Sequence, residues 1–347
     1  MARINEMRMP TWAHLGLNFL DKEDLALEKK SYFKESKAEK IAEVEEAFSP
    51  YRVGLSDEIN AENEKYNNYA LTYNIEGTRD TEIINLELNK DYDTLVSSIQ
   101  INANEGSKSS FIVSIFDDRE ANVFLNSKIR LNLKKNSQVK LILVTNLGYG
   151  AINLNSIGSV LEEEAYLDLA YIEVGAGKSL VNIDNILKGN RSKLVVDGAY
   201  FKEKEDFLDL LVTNEHYGED TDSSCYFNGA LKDEAVKNFK GVVDLRRGCH
   251  KANGKIGDYS MMLSDSVINK SAPILLNEEK EVEGNHAASV GRLNKDMLFY
   301  IMTRGFSKKQ AEAMMLEANF SPAIDKIEDD ELREQIKTKV HKMNTRD

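Results

Sequence analysis

The chain has 347 residues, 41% of them hydrophobic and 30% charged, enough for a sizeable core or for two to three structural segments. Its formal net charge of −13 argues against non-specific nucleic-acid binding, because phosphates would be repelled. Two cysteines, Cys225 and Cys249, supply neither a disulfide framework nor a zinc knuckle nor a four-thiolate cluster motif, and no apolar run reaches the ~18 to 20 residues that span a membrane. The start, MARINEMRMPTW, lacks the apolar stretch of a signal peptide, so a cytoplasmic chain with reduced thiols and no membrane partner is expected.

In chain order, residues 1–79 read as an N-terminal helical region. DKEDLALEKKSYFKESKAEKIAEVEEAF (21–48) holds no Gly or Pro, is rich in helix formers and is followed by Pro50, which predicts a surface helix with a solvated charged face. From about residue 68 short β-like runs take over: LVSSIQI (95–101), SFIVSIF (110–116), SKIRLNL (127–133), VKLILV (139–144), YLDLAYIEV (166–174), KLVVDGAYF (193–201) and FLDLLV (207–212). Several alternate apolar with polar, and Asn, Gly, Ser and Asp clusters separate them. The lack of crossover helices excludes a doubly wound α/β fold and leaves a sandwich, a propeller or a β-solenoid. Asn recurs at the strand margins (Asn146, Asn153, Asn155, Asn182, Asn185, Asn190), and stacked Asn side chains can form hydrogen-bonded ladders along a solenoid axis. At ~20 to 25 residues per coil, a core over 80–285 supplies roughly eight coils.

The tail, 286–347, turns helical again. RLNKDMLFYIMTRG (292–305) ends at Gly305, a C-cap; Ser307 and Gln310 stand at capping-box spacing; and 329–343 places acids first and bases later, complementing its dipole. No catalytic signature is present: GAGKS (175–179) lacks the first Gly of a P-loop and reads as a turn between coils, and no GxSxG, HExxH or GxGxxG occurs.

In this tail EKEVEGNHAASVGRLNKDMLFYIMTRGFSKKQAEAMMLEANF resembles the signature of the SufB/SufD family of iron–sulfur cluster assembly proteins, where an acidic strand leads to a histidine motif, a Leu-Phe-Tyr helix, an Arg-Gly turn and an Ala-rich helix. YSMMLSDSVINKSAPILLNEEKEVEG (259–284), NEHYGEDTDSSCYFNGALKDEAVKNFKGVVDLRRG (214–248) and MPTW (9–12) are similar to family segments in the same order. The resemblance implies a mainly β fold, a right-handed parallel β-helix flanked by N- and C-terminal helical segments. It also implies pairing with a SufB-type subunit through the β-helices, and a SufC-type ATPase carried on the C-terminal helices, with ATP hydrolysis left to that partner. Ala287 follows the motif histidine where SufB has Glu, and Asp258 stands near the place of the SufB cysteine, so the likeness is to SufD. Gly284 replaces a cysteine of some SufD sequences, and the short chain implies a trimmed N-terminal region.

The candidate site residues follow. His286 is the candidate metal ligand, acting within the complex, because a neutral imidazole is a good borderline ligand for iron. Cys249 and His250 are weaker candidates: adjacent residues of a strand point to opposite faces, so only a loop or bulge would let them share a metal. Cys225, His14, His216 and His341 read as structural or surface residues. Met297, Phe299, Tyr300, Met302, Arg304, Gly305 and Phe306 form the candidate ATPase-docking patch, the alternative being that they pack on the end of the solenoid. No cofactor is expected to bind stably to the chain alone; iron or an iron–sulfur cluster would be held transiently in the complex. Two other functions remain: a β-solenoid polysaccharide lyase or hydrolase with paired carboxylates, and a homodimeric SufB-like scaffold that pairs with a second copy of itself and works with the ATPase alone.

Overall fold

A computed structural model describes residues 3–9, 13–21, 28–117 and 122–345; the Pro10–Trp12 part of MPTW lies outside them. A short antiparallel pair, β1 (Arg3–Ile4) and β2 (Leu20–Asp21), precedes two helices, α1 (Ala42–Phe48) and α2 (Asp57–Tyr66). Sixteen strands then alternate between two eight-stranded parallel sheets. The first sheet holds β3 (Tyr69–Ile75), β5 (Thr94–Ala103), β7 (Phe124–Leu133), β9 (Ile152–Leu161), β11 (Lys178–Leu187), β13 (Phe207–His216), β15 (Val236–Leu245) and β17 (Ile268–Asn277). The second holds β4 (Glu82–Leu88), β6 (Lys108–Asp117), β8 (Gln138–Leu147), β10 (Tyr166–Gly175), β12 (Lys193–Lys202), β14 (Asp222–Leu231), β16 (Asn253–Met262) and β18 (Glu283–Arg292). This is the expected β-solenoid, with five helices flanking about eight coils. Within it only Ala176 and Gly177 of GAGKS form the turn that joins β10 to β11, Gly175 ending the first strand and Lys178 and Ser179 beginning the second.

Each coil is longer than expected. Strands of the second sheet begin at Gln138, Tyr166, Lys193, Asp222 and Asn253, so a coil takes about 27 to 31 residues and consists of two ten-residue strands. One corner repeats in six successive coils. Gly106, Asn136, Glu164, Arg191, Asp220 and Lys251 all adopt positive φ between 54° and 69°, and each donates its N–H to a carbonyl of the next coil. A left-handed conformation costs a non-glycine residue about 1 kcal/mol or more; the inter-coil bond and the small buried residue that follows (Ser107, Ser137, Ala165, Ser192, Thr221 or Ala252) offset it.

Asn ladders do run along the axis. Asn132 Nδ2 donates to Asn102 Oδ1 and Asn102 Nδ2 to Asn74 Oδ1, each at 2.8 Å, and Asn185 bridges Ser159 (2.7 Å) to Asn214 (2.9 Å). Between the sheets, alternate residues such as Leu141, Leu143, Leu169, Val196 and Leu210 fill one continuous core. The outward residues are buried too, because helices cover both sheets: α1 and α2 lie on β5 and β7, while α4 (Lys308–Ile324) and α5 (Asp330–Thr345) lie on β10, β12 and β14. There Leu316, Phe320, Ile324 and Ile336 pack on Ile142, Ala170, Ile172 and Phe201. Strands covered on both faces lose strict alternation.

The helix expected over 21–48 is confined to α1; residues 28–41 are not helical, and 22–27 lie outside the described residues. The stretch has too few apolar residues for a stripe, so helical propensity has no tertiary burial to support it. It caps the first coil instead. Tyr32 is buried edge-on to Tyr69 and donates to Glu87 O (2.9 Å), Lys34 Nζ donates to Asn85 O (2.8 Å), and Ser36 pairs with Tyr69 in parallel.

Candidate functional site at the open end of the solenoid

The opposite end has no such cap among the described residues. β17 and β18 are the last strands of their sheets, and nearly all their residues are exposed or half-buried. An uncovered edge presents unpaired N–H and C=O groups and is a template for another strand.

His286 sits on β18, opposite the buried Ile256 of β16, so its side chain faces the lumen. It is exposed, and its Nδ1 lies 3.1 Å from the carbonyl oxygen of Pro273 across the mouth. A carbonyl only accepts, so Nδ1 carries the proton and Nε2 presents a free lone pair, the arrangement that orients a metal-binding imidazole.

Beneath the mouth the floor is charged, which sequence reading missed. Lys237 and Asp258 form a fully buried ion pair, joined by Ser260 Oγ (3.0 Å from Lys237 Nζ) and by Tyr200 Oη, which donates to Asp258 Oδ1 at 2.9 Å. Desolvation pushes the Lys237 ammonium down against the opposing pull of Asp258, and burial pushes the Tyr200 phenol up. Tyr200 reaches Asp258 by crossing the intervening strand at Gly229, where a Cβ would lie 1.9 Å from its ring. Farther in, Lys202 pairs with Glu173 beside Ser179 and Tyr171, whereas Lys240 and Asp209, paired at 2.7 Å, lie on the outer face beneath Asn5. The signal in the sequence was a Lys or Asp at a lumen position of an otherwise alternating strand.

The remaining sequence candidates are scattered. Cys249 and His250 lie in a turn and not a strand, yet they diverge: Cys249 is buried in the core with its thiol pushed up to about 11 by burial, whereas His250 is half exposed, 3.6 Å from Glu279. Cys225 is buried, its thiol also pushed up by burial. His216 is buried between Thr221 Oγ1 and Ser223 Oγ, both at 2.8 Å, and desolvation pushes it down to about 4. Among the described residues no group of three or more His, Cys, Asp or Glu is placed to hold a metal ion. The acids of EEE (162–164) are tied across coil corners to Lys134, Lys135 and Arg191, and so do not form the opposed carboxylates of a hydrolase.

The tail patch stands clear of the solenoid. In α3 (Lys295–Thr303) no residue is buried, and Met297, Phe299 and Tyr300 are 51%, 68% and 54% exposed. Met302 and Phe306 are exposed as well, and Arg304 stacks on the Tyr300 ring at 5.1 Å before Gly305 turns the chain at φ 95°.

Residues 86–319 match the family described as SUF system FeS cluster assembly, SufBD core domain. The chain is 29% identical over 167 residues to the iron–sulfur cluster assembly protein SufD of Bacillus subtilis, covering 45% of this chain and 38% of that protein. It is 19% identical over 236 residues to SufD of Escherichia coli (68% and 56%) and 21% identical over 196 residues to SufB of Bacillus subtilis (56% and 42%). The matches therefore span roughly two fifths to somewhat over half of these relatives' length.

Proposed function

The chain belongs to the SufBD core family of the SUF iron–sulfur cluster assembly system, and from that membership we propose that it is a SufD-like, non-catalytic scaffold subunit. It pairs with a SufB-type subunit at the uncapped last coil and carries a SufC-type ATPase on α3 and the α3–α4 turn. The iron–sulfur cluster is cargo. This chain offers it one ligand atom, His286 Nε2, and the partner supplies the rest, because Cys225 and Cys249 are buried and apart.

The observation that carries this reading is the open mouth with His286 at its rim, its Nδ1 held by Pro273 and its Nε2 turned free. The exposed aromatic surface of α3 supports the ATPase site, since Tyr and Arg often dominate interface energetics. Removing the tail is not a clean test, because α4 and α5 cover the second sheet. The test is anaerobic reconstitution of the isolated chain and of the complex, with iron and sulfide analysis. The isolated chain should take up no stoichiometric cluster, and His286→Ala should lower cluster yield in an intact complex. Stable loading of the chain alone, or normal loading of the His286→Ala complex, refutes the assignment.

A further inference from the structure

The segment that follows β1 crosses the outer face of the first sheet, and Asn5 anchors it there. Asn5 is 1% exposed and holds a left-handed φ of 48°. Its Nδ2 donates to Val181 O of β11 at 3.0 Å and, on β13, to Asp209 O at 3.3 Å and Asp209 Oδ1 at 2.8 Å. The same Asp209 Oδ1 accepts from Lys240 Nζ of β15 at 2.7 Å. Nζ also donates to the backbone carbonyl of Asn5 at 3.0 Å. An amine, a primary carboxamide and a carboxylate bonded to both are thus enclosed together, away from water. Lys240 is fully buried, and desolvation pushes its ammonium down against the pull of Asp209. The carboxamide oxygen of Asn5 is buried without a hydrogen-bond partner.

We propose that Lys240 and Asn5 become joined by an intramolecular amide bond, with Asp209 as the proton relay, so that the N-terminal segment is tied covalently to the solenoid. The step balances within the three residues. Asp209 Oδ1 takes a proton from the Lys240 ammonium along the 2.7 Å bond, which frees the Nζ lone pair to attack Asn5 Cγ. It passes a proton to Nδ2 along the 2.8 Å bond; Nζ–Cγ forms, Cγ–Nδ2 breaks and ammonia leaves. Of the Nζ protons, one stays in the new amide, one departs with the ammonia and one remains on Asp209. A buried ion pair gives way to two neutral groups, which removes the cost of keeping both charges from water. The bonds to Val181 O and Asp209 O hold the carboxamide in place, so the attack is effectively unimolecular. Asn238 Nδ2 also reaches Asp209, but on Oδ2 at 3.3 Å, and does not share the oxygen that holds Lys240. The Lys237–Asp258 and Lys202–Glu173 pairs carry Ser and Tyr hydroxyls where this one carries a carboxamide.

The test is mass spectrometry of the purified, folded chain, first intact under denaturing conditions and then digested with trypsin. The intact chain should lie about 17 Da, one ammonia, below the mass of its sequence. The digest should contain a branched peptide joining 4–8 to 238–246, because an acylated Lys240 is no longer a cleavage site. Lys240→Arg and Asn5→Ala should each show the full sequence mass and no branched peptide. Asp209→Ala should do the same while circular dichroism shows the solenoid formed. A folded parent chain at its full sequence mass overturns the proposal without recourse to any variant. A loss of ammonia confined to the peptide 238–246 places the bond on Asn238 and overturns it equally, and a loss that persists in Lys240→Arg shows that Lys240 is not the nucleophile.

Discussion

The two ends of the solenoid contrast in both backbone and lumen. At the first coil the chain folds back, buries Tyr32 against Tyr69 and Tyr92, and bonds to carbonyls of β4 through Tyr32 and Lys34. Its interior is apolar, built from Ile75, Ile84, Leu86 and Leu88. At the last coil the N-terminal segment reaches the outer face of β17, where Met7, Leu15 and Leu17 pack on Ala272 and Ile274, but no described residue caps the lumen, which near the mouth holds Lys237, Asp258, Ser260 and His286. A capped edge is blocked from pairing, whereas an uncapped one leaves its backbone groups open to another strand. The capped end and the uncapped end are thereby told apart within one chain.

The largest effect should come from breaking the charged floor. Lys237→Ala leaves a buried carboxylate without its cation and should cost about 3 to 5 kcal/mol in urea unfolding. Replacing both partners, Lys237→Met with Asp258→Leu, should recover most of that loss; no recovery would mean that packing, and not charge, sets the cost. At the capped end Tyr32→Ala should cost about 3 kcal/mol through the cavity it leaves. It should also uncover the β4 edge, so that light scattering detects concentration-dependent self-association absent from the parent chain.

The legibility of this contrast in the sequence was uneven. Strands with apolar lumen positions, such as VKLILV and FLDLLV, announce themselves by alternation. β9 and β15 do not, because Asn153, Asn155 and Lys237 occupy places where a period-2 pattern requires an apolar residue. The coil length was underestimated for a related reason. Its clearest marker is the corner repeat NEGS, KKNS, GNRS, GEDT, in which a left-handed residue precedes a small buried one, and charged or amide residues hold that conformation at every one of the six corners but Gly106. The cap over 28–41 was read as helix because propensity is local while its burial of Tyr32 is tertiary. Of the candidate site, His286 and the tail patch were proposed from family likeness, whereas the buried Lys237–Asp258 pair is tertiary, joining residues of two strands that lie in different sheets.

Acid sensitivity sharpens the comparison, because His216 lies in the half of the core that leads to the open end. Burial holds its imidazole neutral down to about 4, while in the unfolded chain it takes a proton below about 6.5. Its contribution is therefore fully present above pH 6.5 and is lost as pH falls toward 4, about 2 kcal/mol by pH 5. Asp184, Asp206 and Asp244, pushed up to about 6 by desolvation, act oppositely, since the folded state takes their protons first and gains stability as pH falls from 6 toward 4. Between pH 7 and 5 the gain at these carboxyls thus opposes the loss at His216 and masks it in the wild-type profile. His216→Gln, which keeps groups able to bond Thr221 and Ser223, should be about 2 kcal/mol more stable at pH 5 relative to pH 7 than the parent is; an unchanged pH profile would show that His216 does not titrate on unfolding.

The smallest expected effect on stability is also the one that most directly separates the two ends. Val290 faces the lumen at the same register as the buried Ser260, yet it is half exposed because no coil follows it. Leu86 also faces the lumen, near the other end, and is fully buried. The same change, to Ser, removes similar apolar surface at both positions, but only Leu86 has a packed environment to lose. Leu86→Ser should cost about 3 kcal/mol or more, through a cavity plus a buried hydroxyl. Val290→Ser should stay within about 0.5 kcal/mol of the parent in the isolated chain. In the complex the order changes: if a facing coil covers the mouth, Val290→Ser should raise the dissociation constant severalfold with no matching change in monomer unfolding. A Val290→Ser chain that is destabilised alone, or that pairs at parental affinity, would mean that the lumen is already closed by its own chain and that the open end is not where the partner sits.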